Sequence, residues 1–225
     1  MLIEFDQAVV IMEGRPLLQV PGLTLSERRI GIVGPNGAGK STFSRLINGL
    51  LLPDQGQVRV NGLDTRHEAR SIRRQVGFVF QNPDNQIVFP IVREDLDFGL
   101  KPLGLSAAQR AERIAAGLAQ LGIAHLAERS SFSLSGGERQ LVALAAVLVR
   151  EPSLVVFDEP TTQLDLRNRN RVRQAIADLA PAAYVVSHDL ELLADFDRVL
   201  VINAGGIAAD DQPGPALRWY REHCA

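Results

Sequence analysis

Gly34-Pro35-Asn36-Gly37-Ala38-Gly39-Lys40-Ser41 is a glycine, four residues, then Gly-Lys-Ser, the pattern of a loop that cradles phosphates. The chemistry depends on its flanks. Arg29-Ile30-Gly31-Ile32-Val33 before it reads as a buried strand, and Thr42-Phe43-Ser44-Arg45-Leu46-Ile47 after it reads as a helix. The loop therefore lies at a helix start, where unpaired backbone N–H groups and the helix dipole favour an anion. Glycines at 34, 37 and 39 let the backbone curl around phosphates with no Cβ in the way. Lys40 is placed to reach the β- and γ-phosphates, and the Ser41 hydroxyl to ligate Mg²⁺. The expected nucleotide-contacting set runs from Gly34 through Thr42.

Leu154-Val155-Val156-Phe157-Asp158-Glu159 is an apolar strand that ends in two carboxylates. Adjacent carboxylates at the end of a buried strand repel each other unless a cation is near. Asp158 is expected to hold Mg²⁺, directly or through water, as the acidic element of phosphate-loop enzymes does. Glu159 is placed to orient or deprotonate an attacking water. The plainer alternative is a solvated loop acid beside a helix-capping Asp. Ser135-Gly136-Gly137-Glu138 opens a long apolar helix, and Ser with Glu three residues on is a capping box. Capping does not explain two glycines in the first turn, which weaken a helix; bare backbone there suits a phosphate that approaches closely. Gln81 at a strand end, His188 after Val185-Val186-Ser187, and Asp165 in Thr161-Thr162-Gln163-Leu164-Asp165 read, each alone, as a surface glutamine, a structural histidine and a turn or N-cap residue.

The elements that must hold these groups alternate. Strands are expected at 2–9, 17–25, 29–33, 57–60, 76–80, 154–159 and 183–189, with a hairpin near 198–208. Helices are expected at 42–48, 67–74, 107–121, 136–149, 166–179 and 214–222. Strands alternating with helices around a phosphate loop make an α/β core with a mostly parallel sheet. The single domain 1–225 divides into a core, 1–81 and 151–225, and an inserted helical lobe at about 82–150. With 225 residues, 46% apolar content and a net charge of −2, the chain supports a sizeable core and carries no basic field for nucleic acid. Its one cysteine, Cys224, excludes an internal disulfide framework. The sequence shows no secretory signal, and its longest apolar run, Leu141 to Val149, falls far short of the roughly 20 residues that span a bilayer.

Taken together and in order, the phosphate loop, Gln81, Leu134-Ser135-Gly136-Gly137-Glu138, Leu154 to Glu159, Leu164-Asp165 and His188 resemble the nucleotide-binding subunit of ATP-binding-cassette (ABC) proteins, over essentially the whole chain. The resemblance implies an ATPase with Mg²⁺, built as a head-to-tail homo- or heterodimer, the homodimer favoured. ATP then lies between the phosphate loop of one subunit and the Ser135 segment of the other, Ser135, Gly136, Gly137, Glu138 and Asp165 being cross-dimer contacts. It also implies Glu159 as catalytic base, His188 as γ-phosphate sensor and Gln81 as Mg²⁺ and coupling residue. Two positions depart from the family's pattern. Met12 stands where an aromatic ring normally stacks on adenine, and a thioether packs on a purine less specifically. Gln163 stands where Gly or Ala is usual.

The segment Gln81-Asn82-Pro83-Asp84-Asn85-Gln86-Ile87-Val88-Phe89-Pro90, followed by Glu94-Asp95 and Phe98-Gly99, is similar to energy-coupling-factor (ECF) importer ATPases. These drive a membrane coupling protein and a substrate-binding membrane protein that import vitamins or cobalt and nickel ions. The resemblance places the chain at the cytoplasmic face of the cell membrane, bound to such partners. Its compact length is most similar to biotin-transporter ATPases, with cobalt or nickel next. The rival readings are a cassette ATPase that regulates a cytoplasmic or division protein, and a nucleotide-dependent scaffold.

Overall fold

The computed structural model describes residues 1–224. In chain order its strands are β1 Ile3–Met12, β2 Arg15–Leu25, β3 Arg29–Val33, β4 Gln55–Val60, β5 Leu63–Asp64, β6 Val76–Val79, β7 Leu154–Asp158, β8 Ala182–Val186, β9 Arg198–Asn203 and β10 Gly206–Asp211. Its helices are α1 Lys40–Ile47, α2 Thr65–Gln75, α3 Val92–Leu100, α4 Ala107–Gln120, α5 Gly136–Leu148, α6 Leu166–Ala177, α7 Leu190–Leu193 and α8 Pro213–Cys224, with short 3₁₀ turns among them. Contacts divide the chain into two compact units.

The first unit comprises Met1–Phe78, Ser153–Glu159 and Ala180–Ala225. It contains two sheets. An antiparallel four-stranded sheet has the order β2-β1-β4-β5. In β1 the inward side chains Ile3, Phe5, Ala8 and Val10 are buried, and their spacing shows one break in the alternation. The break is at Gln7, whose φ is 48°, where the register with β4 shifts. Gly56 lies against this bulge, and a Cβ on it would overlap the Gln7 carbonyl. A bulge that re-aims one strand leaves room only for bare backbone on its neighbour.

The second sheet has six strands in the order β10-β9-β3-β8-β7-β6. Pairs β9–β3, β3–β8 and β8–β7 are parallel, and β10 returns antiparallel on β9. β3, β7 and β8 read as near-continuous apolar runs because both faces of a parallel sheet are covered; every residue of β7 is buried. The α/β class with a mostly parallel sheet is therefore what forms. The neighbours of β3 in the sheet are β8 and β9, which come from the far end of the chain. This order sets the carboxyl ends of β3, β7 and β8 side by side: Ile32 pairs with Val186, and Asp158 with Val186. Ligands of open α/β sheets bind at such an edge. α1 is tied to the first sheet by a ring stack of Phe43 on Phe5, 4.8 Å between centroids.

The second unit comprises Val79–Pro152 and Pro160–Leu179. It holds α3 to α6. By sequence the helical lobe is expected at about 82–150, with 160–179 in the core. The second unit takes in 160–179 because α6 lies along α5: a Cβ on Gly137 of α5 would overlap the Asn168 side chain of α6. Two further differences are local. The strand expected to reach 189 ends at Val186, because Asp189 caps the one-turn helix α7 by accepting from the Leu192 amide. α3 was not foreseen; Pro90 precedes it, and Asp95, buried in its first turn, fastens the loop before it.

Candidate active site

Within the first unit, three strand ends deliver the reacting groups. Val33 of β3 leads into Gly34, Asp158 closes β7, and Val186 of β8 leads to Ser187 and His188. Gly34 has no Cβ because the Ile202 carbonyl of β9 occupies that space; this packing reason is separate from phosphate approach. Gly39 sits at φ 105° as the N-cap of α1, a conformation that side chains resist. The turn it makes presents the first-turn N–H groups, which have no intrahelical acceptor.

Lys40 is largely buried, at 7% exposure. Its Nζ donates to the carbonyls of Gly34 (2.8 Å) and Pro35 (3.0 Å) and lies 3.2 Å from His188 Nε2. Burial lowers its pKa, while Glu159 and Asp158 push it back up. A buried ammonium whose hydrogen bonds go to the loop's own carbonyls is a cation set at the phosphate loop. Ser41 Oγ donates to Asp158 Oδ1 at 2.8 Å. Asp158 is 2% exposed, and burial raises its pKa against the lowering pull of Ser41, Arg45 and Lys40. Arg45 NH2 lies 3.9 Å from Asp158 Oδ2. Arg45 was not singled out from the sequence; the signal was its place four residues after Ser41, on the same helix face.

Glu159 follows Asp158 with φ 53°, a left-handed backbone for a glutamate. Such strain persists only where surroundings hold it; here its N–H donates to the Val186 carbonyl at 2.9 Å and its carboxylate accepts from the His188 amide at 3.3 Å. His188 Nε2 lies 3.0 Å from Asn36 Oδ1 and 3.3 Å from Glu159 Oε1. One ring nitrogen cannot accept from Lys40 and donate to Asn36 together. Protonated at Nε2, the ring donates to Asn36 or Glu159; bare, it accepts from Lys40. Gly34 to Ser41, Asp158, Glu159 and His188 thus come together in one unit. Met12, half-exposed at the end of β1, pairs with Arg15 across the β1–β2 hairpin. The same hairpin brings Leu17 and Leu18 against Gly39 of the phosphate loop.

The second unit carries the other expected residues. Ser135 and Glu138 form the full capping box at the start of α5, Ser135 Oγ accepting from the Glu138 amide and Glu138 accepting from the Ser135 amide. That hydrogen bond is the first cause holding the Glu138 carboxyl below its ordinary value. Asp165 caps α6, accepting from the Asn168 amide (2.8 Å) and side chain (3.0 Å). Asn168 in turn fills the space over Gly137, so Gly137 is bare for packing within its own chain. Gly136 meets only Leu164, at an ordinary 3.8 Å. Of the two glycines, Gly136 alone keeps open space that suits an approaching phosphate. Gln163 has φ 65°, which gives the reason glycine suits that place. Gln81 is exposed, two residues beyond the end of β6.

In sequence Asp95 figures only within the ECF-like segment, with no role of its own. Its buried carboxylate accepts from the amides of Val88 (2.8 Å) and Phe89 (2.9 Å). Ser131 Oγ donates to the Phe89 carbonyl at 3.0 Å, and Gln86 Nε2 donates to the Ala143 carbonyl at 2.6 Å. These bonds hold out an apolar shelf: Val88 is 74% exposed and Phe98, packed on Phe89 at 4.9 Å, is half-exposed. Among the described residues no helix is long and apolar enough to cross a membrane.

Known proteins fit this geometry. The family described as ABC transporter matches residues 22–162. A protein of Deinococcus radiodurans named as a putative ABC transporter ATP-binding protein is 59% identical over 208 residues, covering 92% of each chain. The biotin transport ATP-binding protein BioM of Rhizobium etli is 48% identical over 225 residues, 100% of each. Among solved structures, a dimeric post-hydrolysis state of an ATP-binding cassette bound to ADP and Pi superposes with a TM-score of 0.82 at 26% identity, covering 94% of this chain and 98% of that one. The chain belongs to the ABC transporter family, as one of its ATP-binding, ATP-hydrolysing subunits.

Proposed function

We propose that this chain powers an ECF-type importer from the cytoplasmic face of the cell membrane, with a vitamin, biotin by preference, as the imported solute. The observation that carries the proposal is the apolar shelf of Val88, Phe89 and Phe98, fixed from beneath by Asp95 and Ser131. Exposed apolar surface held rigid by buried polar bonds marks a docking site, and helices of a membrane coupling protein are its expected occupant. The similarity to the Rhizobium etli biotin protein over the full length supports the choice of solute.

Two copies act head to tail, each closing its Ser135 helix start on ATP held by the other's phosphate loop. The similarity to a dimeric cassette holding ADP and Pi supports that arrangement. The loop amides and Lys40 neutralise the phosphates. Glu159, placed by its strained backbone beside His188, takes the proton of the attacking water. The water oxygen bonds to the γ-phosphorus as the bond to the ADP oxygen breaks. His188 Nε2 steadies the γ-phosphate. Ser41 and Asp158, both in the first unit, present two hard oxygens 2.8 Å apart, a set that fits Mg²⁺; the role of Gln81 toward the ion rests on the family resemblance alone. The ion, when bound, offsets phosphate charge. ATP-driven closure reaches the membrane subunits through the Gln81 loop and the shelf beyond it.

Three outcomes test this. Glu159→Gln should bind ATP and lose at least about 100-fold in turnover, the usual worth of a positioned base; unchanged steady-state phosphate release removes Glu159 from that role. Asp158 supplies a pH signature. Its folded pKa is raised, so its contribution to stability is present at low pH and lost as pH rises through that value. Asp158→Asn should therefore raise the melting temperature of the nucleotide- and metal-free protein at neutral pH, the gain shrinking toward acid; a fall at neutral pH would mean that Ser41 and Arg45 outweigh burial. Tagged protein drawn from its own gently solubilised membranes should bring a coupling protein and a vitamin-binding membrane protein. Recovery with cytoplasmic or division proteins alone favours the regulator reading.

A further inference from the structure

Phe132 is an exposed aromatic ring that the mechanism above does not use. It is 84% exposed, on the turn Ser131–Ser133 that runs directly into Ser135. The other exposed phenylalanine, Phe98, has partners: Phe89 at 4.9 Å and Lys101 Nζ at 5.9 Å from the ring centre. Phe132 makes no ring contact among the described residues. Water is unfavourable surroundings for a ring of that size, and among the described residues no ring or cation covers it.

The phosphate loop lacks a ring in the complementary place. Its hairpin neighbour ends in Met12, 55% exposed, while Leu17 and Leu18 of the same hairpin rest against Gly39. If Met12 stands at the base, as the family resemblance implies, a base carried by phosphates in that loop has a thioether on one face and needs a partner for the other. Phe132 lies three residues before Ser135, so the two are separated by at most about 11 Å of chain. That reach matches the distance from the terminal phosphate to the base of an extended nucleoside triphosphate.

We propose that Phe132 of the partner subunit stacks on the adenine of ATP, on the face opposite Met12, so that the closed dimer binds the base as well as the phosphates. This rests on the head-to-tail reading above. The ring supplies from across the interface the stacking that Met12 supplies poorly within the subunit. Base recognition then belongs to closure rather than to first binding: a single copy holds ATP mainly by its phosphates, and the base is gripped when two copies meet.

The test uses the full chain carrying Glu159→Gln, with dimer formation followed by light scattering as nucleotide is added. Adding Phe132→Ala should raise the ATP concentration for half-maximal dimer about tenfold or more, the usual worth of a base–aromatic stack. Phe132→Tyr should restore it. Ribose 5-triphosphate, which lacks the base, should close both versions at the same concentration. The exposed ring supports no core, so folding is not at stake. An equal shift with and without the base, or no shift, overturns the proposal. So does a Phe132→Ala chain that closes normally yet no longer brings down its membrane partners, which would assign the ring to the membrane interface. If the chain with Phe132 intact never dimerises with ATP, the head-to-tail reading fails first and the stacking role falls with it. Dimerisation that is unaffected by Phe132→Ala leaves that reading standing and removes only the stack.

Discussion

A carboxylate held out of water needs a cation or a proton, and Asp158 is that carboxylate. It is 2% exposed at the end of an all-buried strand, and burial outweighs the nearby Ser41, Arg45 and Lys40 in setting its pKa. Lys40 is under the opposite strain, a buried ammonium whose pKa burial lowers. In the function proposed above, Asp158 answers to the Mg²⁺ and Lys40 to the phosphates of a metal–nucleotide complex. On that reading the bound complex offsets, by pairing both charges, desolvation that the fold has already imposed.

The sheet makes this possible. A strand order that puts β3 between β8 and β9 gathers three chain segments, distant in sequence, at one edge. The buried parallel strands leave little freedom at that edge, and the left-handed Glu159 shows it: its amide is tied to Val186 and its carboxylate to the His188 amide. Position is thereby set before substrate arrives, as a site that depends on sub-ångström placement requires. The second unit has its own fixed points, the double cap at α5 and the Asp165–Asn168 pair at α6.

Much of this was legible in the sequence because the residues concerned are local patterns. The phosphate loop, the apolar run ending in Asp158-Glu159 and the Ser135–Glu138 box each lie within eight residues and need no knowledge of packing. What escaped notice depends on pairs far apart. Gly137 is bare because Asn168 fills its space, and no local rule joins 137 to 168. Gly34 answers to Ile202 in the same way. Asp95 reads only as half of the Glu94-Asp95 pair of the ECF-like segment until its bonds to Val88 and Phe89 are seen. Residues 160–179 were given to the core by their place between two core strands, whereas α6 belongs with α5. Gln163 takes a φ at which glycine is at ease, and nothing in the structure explains a glutamine there.

The central claim is that each ATP site is shared by two copies, the phosphate loop from one and the Ser135 helix start from the other. Mixing two disabled chains tests it most directly. A Lys40→Ala copy lacks the loop cation, and a Ser135→Arg copy obstructs the helix start. Single-turnover phosphate release should be absent from either alone and should return in an equal mixture, because each mixed dimer contains one intact composite site. A mixture as inactive as its components would place the whole site within one chain and contradict the account.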